Sequence, residues 1–161
     1  MGKLRYLLGF AALFGHLAHA QEQPPDWEPY ELYYATVVRV VDGDTIQVSV
    51  DLWPGLVAEY SVRERGIDAP ELRRVDCEEE RTWAEEARAQ LEKLYEVGST
   101  VRLENVEYDA YSGRVLAEIR RWRSDRWIYL EDEMIERGMA VSWTPEMSDV
   151  PWCVLALTRE E

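Results

Sequence analysis

Val41-Asp42-Gly43-Asp44-Thr45 and Arg63-Glu64-Arg65-Gly66-Ile67-Asp68-Ala69-Pro70-Glu71 each lead a strand into a turn and place carboxylates there. Asp-Gly forms tight hairpin turns, and strand-like runs flank it, Thr36–Val41 before and Thr45–Leu52 after. Pro70 donates no ladder hydrogen bond and holds Ala69 extended, so a strand ends at Ile67-Asp68. Asp44, Asp68 and Glu71, with Arg63 on the strand leading in, are thereby expected in one acidic, arginine-flanked pocket.

Outward from these turns, three strands are expected at about Ala35–Val41, Thr45–Leu52 and Glu59–Ile67, with Trp53-Pro54-Gly55 turning the second into the third. Glu78–Val97 reads as a helix, because Trp83, Ala87, Leu91, Leu94 and Tyr95 recur at helical spacing, and Gly98 is its expected cap. Thr100–Tyr108 alternates like a strand with a slip in period at Asn105, Arg114–Arg121 is another, and Trp127–Tyr129 a short extended piece. A second helix over Leu130–Arg137 ends at Gly138. Five strands with a helix between the third and fourth is the connectivity of an α+β OB-fold, a five-stranded Greek-key barrel, here with two helices. A generic α+β sandwich is the alternative.

Residues 1–20 read as a secretory signal peptide: Lys3 and Arg5, then an apolar run from Leu7 to Leu17, then Ala18-His19-Ala20. Residues 21–33, with Pro24, Pro25 and Pro29, read as a flexible leader, and 34–161 as the folded domain. The expected mature chain is exported, starts near Gln21 and carries no membrane anchor. Both histidines, His16 and His19, leave with the signal peptide. A Ser-His-Asp triad and a histidine-ligated zinc site are therefore excluded. Cys77 and Cys153, the only cysteines, are expected to form a disulfide.

The net charge of −14 argues against a polyanion as partner, but it is unevenly spread. Arg114, Arg120, Arg121, Arg123 and Arg126 face only Glu118 and Asp125 within residues 114–126. Arg120 to Trp127 interleaves arginines with tryptophans, either a stacking platform for nucleic acid or a hairpin whose tryptophans pack inward beneath solvated arginines.

Oxygen donors at Asp44 and Asp68, with no histidine or thiol, select a hard cation, and in an exported protein Ca2+ is the more available. Glu71 is placed to deprotonate a water, and Arg63 and Arg114 offer bidentate donors to phosphoryl oxygens. That set describes phosphodiester hydrolysis. Singly, Asp42-Gly43-Asp44 is only a turn and Arg63 only a strand residue; together and in order they form a constellation.

Val41–Thr45, Val62–Glu71 and Asp109-x-Tyr111-x-Gly113-Arg114 resemble the three motifs of the thermonuclease, or staphylococcal-nuclease-like, family, a likeness covering Thr36 to Trp143. The resemblance implies calcium-dependent cleavage of DNA or RNA with little sequence specificity. It implies that Asp44, Asp68 and the carbonyl of Ala69 bind Ca2+, that Glu71 is the general base, that Arg63 and Arg114 bind the phosphate, and that Tyr111 lies beside it. Ser112 is extra relative to the family pattern, and the stretch after Gly138, with Pro145, Pro151 and Cys153, is not expected to form the family's long basic third helix. A monomer is expected. The competing reading is a non-catalytic OB-fold binding module of the cell envelope with a structural metal site.

Overall fold

The computed structural model describes residues 32–109 and 113–159. The predicted signal peptide and most of the predicted leader lie outside the described residues, as does Tyr111.

Two hairpin turns start the barrel. β1 (Leu32–Val40) and β2 (Thr45–Trp53) pair antiparallel across Asp42-Gly43-Asp44, and β2 returns into β3 (Leu56–Glu64) at Pro54-Gly55. Gly55 adopts φ 83°, a left-handed conformation that a side chain would oppose. β1 begins three residues before its expected start, so Leu32 and Tyr33 belong to the sheet. The third strand was expected to run unbroken to Ile67; instead it stops at Glu64. Gly66, at φ 87°, turns the chain, and Ile67–Asp68 forms a separate short strand, β4.

Helix α1 (Glu78–Leu94) follows, seating Trp83, Ala84, Ala87 and Leu91 in the core. It ends at Tyr95 rather than at Gly98, whose N–H instead donates to the carbonyl of Val37 on β1. β5 (Thr100–Asp109) pairs with β1 and with β6 (Arg114–Arg123). The slip in period at Asn105 is a bulge: the β5–β6 register shifts between Glu104 and Glu107, and Asn105 has φ 52°. β6 then lies parallel to β3, which closes a barrel in the order β3-β2-β1-β5-β6. The protein thus has the α+β OB-fold architecture. Val37, Ile46, Val48, Val62, Val101 and Ile119 fill its interior.

β7 (Arg126–Tyr129) extends the sheet beyond β6 through Ser124-Asp125, both at positive φ as a tight two-residue hairpin requires. α2 (Leu130–Glu136) packs back on the barrel, and Glu133 accepts from Nη2 and Nε of Arg121, at 2.5 and 2.7 Å. β8 (Val141–Ser142) pairs with β4.

A third helix, α3 (Trp152–Arg159), corrects the expectation of two. Pro151 sits immediately before its first residue, a position where a missing N–H does no harm to a helix. The proline that argued against a helix in fact introduces one. α3 is short and holds one basic residue in its last turn, Arg159. The Cys77–Cys153 disulfide, with Cα atoms 5.9 Å apart, fastens it to the start of α1. Among the described residues no helix is long and apolar enough to cross a membrane.

Arg120–Trp127 presents Trp122, Arg123 and Arg126 to solvent and packs Arg120, Arg121 and Trp127, so its tryptophans do not all turn inward. Trp122 is exposed, while Arg102 and Arg120 lie largely buried against the rings of Trp127 and Tyr129, 4.7 and 3.7 Å from the centroids. Glu104 binds both arginines and Glu118 binds Arg120, so these cations are neutralised within the sheet.

Candidate active site

Asp44 closes the β1–β2 turn and is almost wholly buried. Its Oδ1 accepts from the Thr45 hydroxyl at 2.7 Å and its Oδ2 from the N–H of Ala69 at 3.2 Å. The second contact joins the two turns directly. Gly43 explains how they approach so closely: a Cβ there would lie 2.8 Å from the Cβ atoms of both Ala69 and Ala87. Only glycine lets the turn fit between β4's end and α1.

Arg63, near the end of β3, bridges the two predicted ligands. Its Nη1 lies 2.6 Å from Asp44 Oδ2, and its Nη2 2.6 Å from Asp68 Oδ1. Burial pushes the Asp44 carboxyl up to about 8, with Arg63 pulling the other way and Asp42 adding to the rise. One guanidinium therefore leaves this buried carboxylate short of positive charge. The Arg63 guanidinium is itself held above its usual range: burial opposes the charge, and Asp44 and Asp68 more than restore it.

The donor chemistry fits a hard cation. Oxygens of Asp44 and Asp68 converge on one positively charged group, Asp44 remains under-compensated, and no nitrogen or sulfur ligand intrudes. Ala69 reaches the cluster through its N–H. Cys77, Glu80 and Cys153 also lie close together, but both sulfurs are committed to the disulfide.

Glu71, three residues beyond Asp68, is exposed, and its backbone N–H donates to Glu80 Oε1 at 3.4 Å. Arg114 begins β6 on the same face of the barrel wall as Arg63: Arg63 is the partner of Leu116 in the parallel ladder, and Arg114 lies two residues before it. Asp44, Arg63, Asp68 and Ala69 thus form one bonded cluster, with Glu71 following it in the chain and Arg114 on the adjoining strand. None of them lines the 430 Å³ apolar cavity framed by Tyr33, Val50, Tyr60, Leu103 and Val115, so the polar chemistry gathers elsewhere.

Two residues went unnoticed in the sequence. Trp152 Nε1 donates to Asp68 Oδ2 at 2.8 Å, so both oxygens of that carboxylate are engaged. Glu80, buried in the first turn of α1, accepts from the N–H groups of Glu71 and Asp76 and closes the loop between them. The one signal for Trp152 was its neighbour Cys153, whose pairing with Cys77 brings it to α1. Glu80 lay hidden in an acidic run that reads as a solvated helix face.

A family model described as staphylococcal nuclease homologue matches residues 61–150, more than half of the chain. The match includes Arg63, Asp68, Ala69, Glu71 and Arg114, and begins after Asp44. No curated protein matches the chain.

Proposed function

The chain belongs to the family of staphylococcal nuclease homologues, and from that membership we propose that it is an exported, calcium-dependent nuclease that hydrolyses phosphodiester bonds of DNA or RNA with little sequence preference. The observation that supports this reading is the bridge from Arg63 to Asp44 and Asp68, two carboxylates from separate turns brought to one guanidinium.

Asp44 and Asp68 hold the cation, with the carbonyl of Ala69 as a further oxygen ligand. When bound, the cation supplies positive charge for a phosphoryl oxygen. Arg63, relieved of its two carboxylates, donates to the phosphate, and Arg114 does so from the neighbouring strand. Glu71 takes a proton from the attacking water as its oxygen bonds to phosphorus and the bond to the leaving oxygen breaks. The two guanidiniums offset the charge that builds on the pentacovalent phosphorus. Tyr111 is assigned beside the phosphate by its place in the motif. Export is supported by the disulfide, which suits an oxidising compartment.

Incubating purified protein with single-stranded DNA or RNA, in calcium or in chelator, tests the proposal. Fragments in calcium and none in chelator are expected. Intact polymer in both, with calcium bound, overturns it in favour of a binding module with a structural metal.

A further inference from the structure

The geometry points to Trp152 as a positioning residue for Asp68, held in place by the Cys77–Cys153 disulfide; this rests on reading Asp68 as a cation ligand. Asp68 is clamped from two sides. Arg63 donates to Oδ1 at 2.6 Å from the barrel wall, and Trp152 donates to Oδ2 at 2.8 Å from α3. The two donors differ in kind. A guanidinium is a rival cation that must yield before a metal takes that oxygen, whereas an indole N–H is neutral. It can fix the carboxylate's plane while the metal is bound.

The indole is itself rigidly set. Trp152 is buried, and its ring meets that of Trp83 edge to face, with centroids 5.0 Å apart and planes at 88°. Trp83 in turn donates from Nε1 to the carbonyl of Gly138 at 2.9 Å.

What seats α3 is the next residue along. Eight residues make too short a helix to persist unaided. The bond from Cys153 to Cys77 fixes the helix to α1, helped by an ion pair between Arg159 and Glu86 at 2.9 Å. Cys77 is also the N-cap of α1, its Sγ accepting from the N–H of Glu80, the residue that holds the N–H of Glu71. One disulfide therefore stands between the orientation of Asp68 on one side and the loop bearing Glu71 on the other.

Calcium is titrated calorimetrically, without nucleic acid, into the full-length protein, into Trp152→Phe, into Cys77→Ser/Cys153→Ser, and into the triple variant. Phenylalanine keeps the stacking on Trp83 and loses the donor. Loss of a hydrogen bond to a ligating carboxylate weakens metal binding by roughly 10- to 100-fold, and Trp152→Phe is expected in that range. The cysteine pair should weaken binding in the same way, and the triple variant no more than either. In the parent protein the indole N–H resonance of Trp152 should shift on calcium addition. Affinity of Trp152→Phe equal to that of the parent overturns the assignment of Trp152, and parental affinity in the cysteine pair overturns the role of the disulfide. If Trp152→Phe fails to fold, the indole N–H resonance of Trp152 in the parent protein decides: a shift on calcium addition supports the assignment and an unmoved resonance overturns it. A parent protein that binds no calcium overturns the reading of Asp68 as a ligand, and the positioning role with it, which is a different result from equal affinities.

Discussion

The backbone N–H of Ile119 on β6 donates at 2.8 Å to Oε2 of Glu64 on β3, inside the closed wall of the barrel. The other oxygen, Oε1, has no hydrogen-bond partner among the described residues. Burial drives this carboxyl well above the ordinary 4.5; the Ile119 N–H opposes the rise, and the carboxylates of Glu131, Glu118 and Asp44 add to it. A carboxyl raised on folding binds its proton more tightly in the native state. Its contribution to stability is complete below the unfolded value and is lost as pH climbs through the folded one. Glu64→Gln, a mimic of the neutral form, should therefore match the parent protein near pH 4 and exceed it at neutral pH by roughly 1–3 kcal/mol, the cost of an unsatisfied buried polar group. Urea melts of both proteins across that range check the divergence of the two profiles as pH rises.

Arg63 stands in for a cation between Asp44 and Asp68. Removing one member of a buried pair leaves the other uncompensated, at a cost of about 3–5 kcal/mol. Arg63→Ala should lower the melting temperature in chelator, and calcium should restore most of the loss by occupying the vacated carboxylates. Thermal melts with and without calcium give the comparison; a variant as unstable in calcium as in chelator contradicts the proposed site.

Glu71 is exposed and holds the cluster only through its place in the chain. Glu71→Gln should cut turnover by roughly 10²- to 10⁴-fold, the usual worth of a general base, and leave calcium affinity nearly unchanged. Equal rates for the two proteins in calcium would remove it from the mechanism.

Gly43 has the methyl groups of Ala69 and Ala87 where its own would go. Gly43→Ala must move either α1 or the turn carrying Asp44, so a loss of about 1–3 kcal/mol is expected. Because Ala69 is one of the groups displaced, calcium affinity should fall as well. Denaturant unfolding and calorimetry on the same sample read both.

Local chemistry made much of this molecule legible in advance. The Asp42-Gly43 turn, the proline after Ala69 and the helical spacing from Trp83 to Leu94 act within a few residues, and each marks an element that forms, although the third strand breaks at Glu64 and the helix stops at Leu94. Asn105 even announced its bulge, because a bulge shifts alternation by one residue. Long-range effects were not legible. Nothing near Glu64 indicates that β6 will close over it in parallel, and alternation alone cannot separate a charged residue facing inward from one facing water. The same holds for Arg120, whose partner Glu104 is brought beside it only by the pairing of β5 with β6. Trp152 and Asp68 are 84 residues apart, and only the disulfide hints that they meet.

That separation bears on when the site can exist. During synthesis Asp44, Arg63 and Asp68 emerge before β8, which pairs with β4, and before α3, which engages Asp68. A nascent or truncated chain would display the acidic ligands without the parts that hold Asp68 in place, and full assembly also waits for oxidation of Cys77 and Cys153. Maturation of the centre is thus coupled to the placing of α3 and to oxidation of its thiol, so an enzyme of the proposed kind would stay incomplete in a reducing compartment.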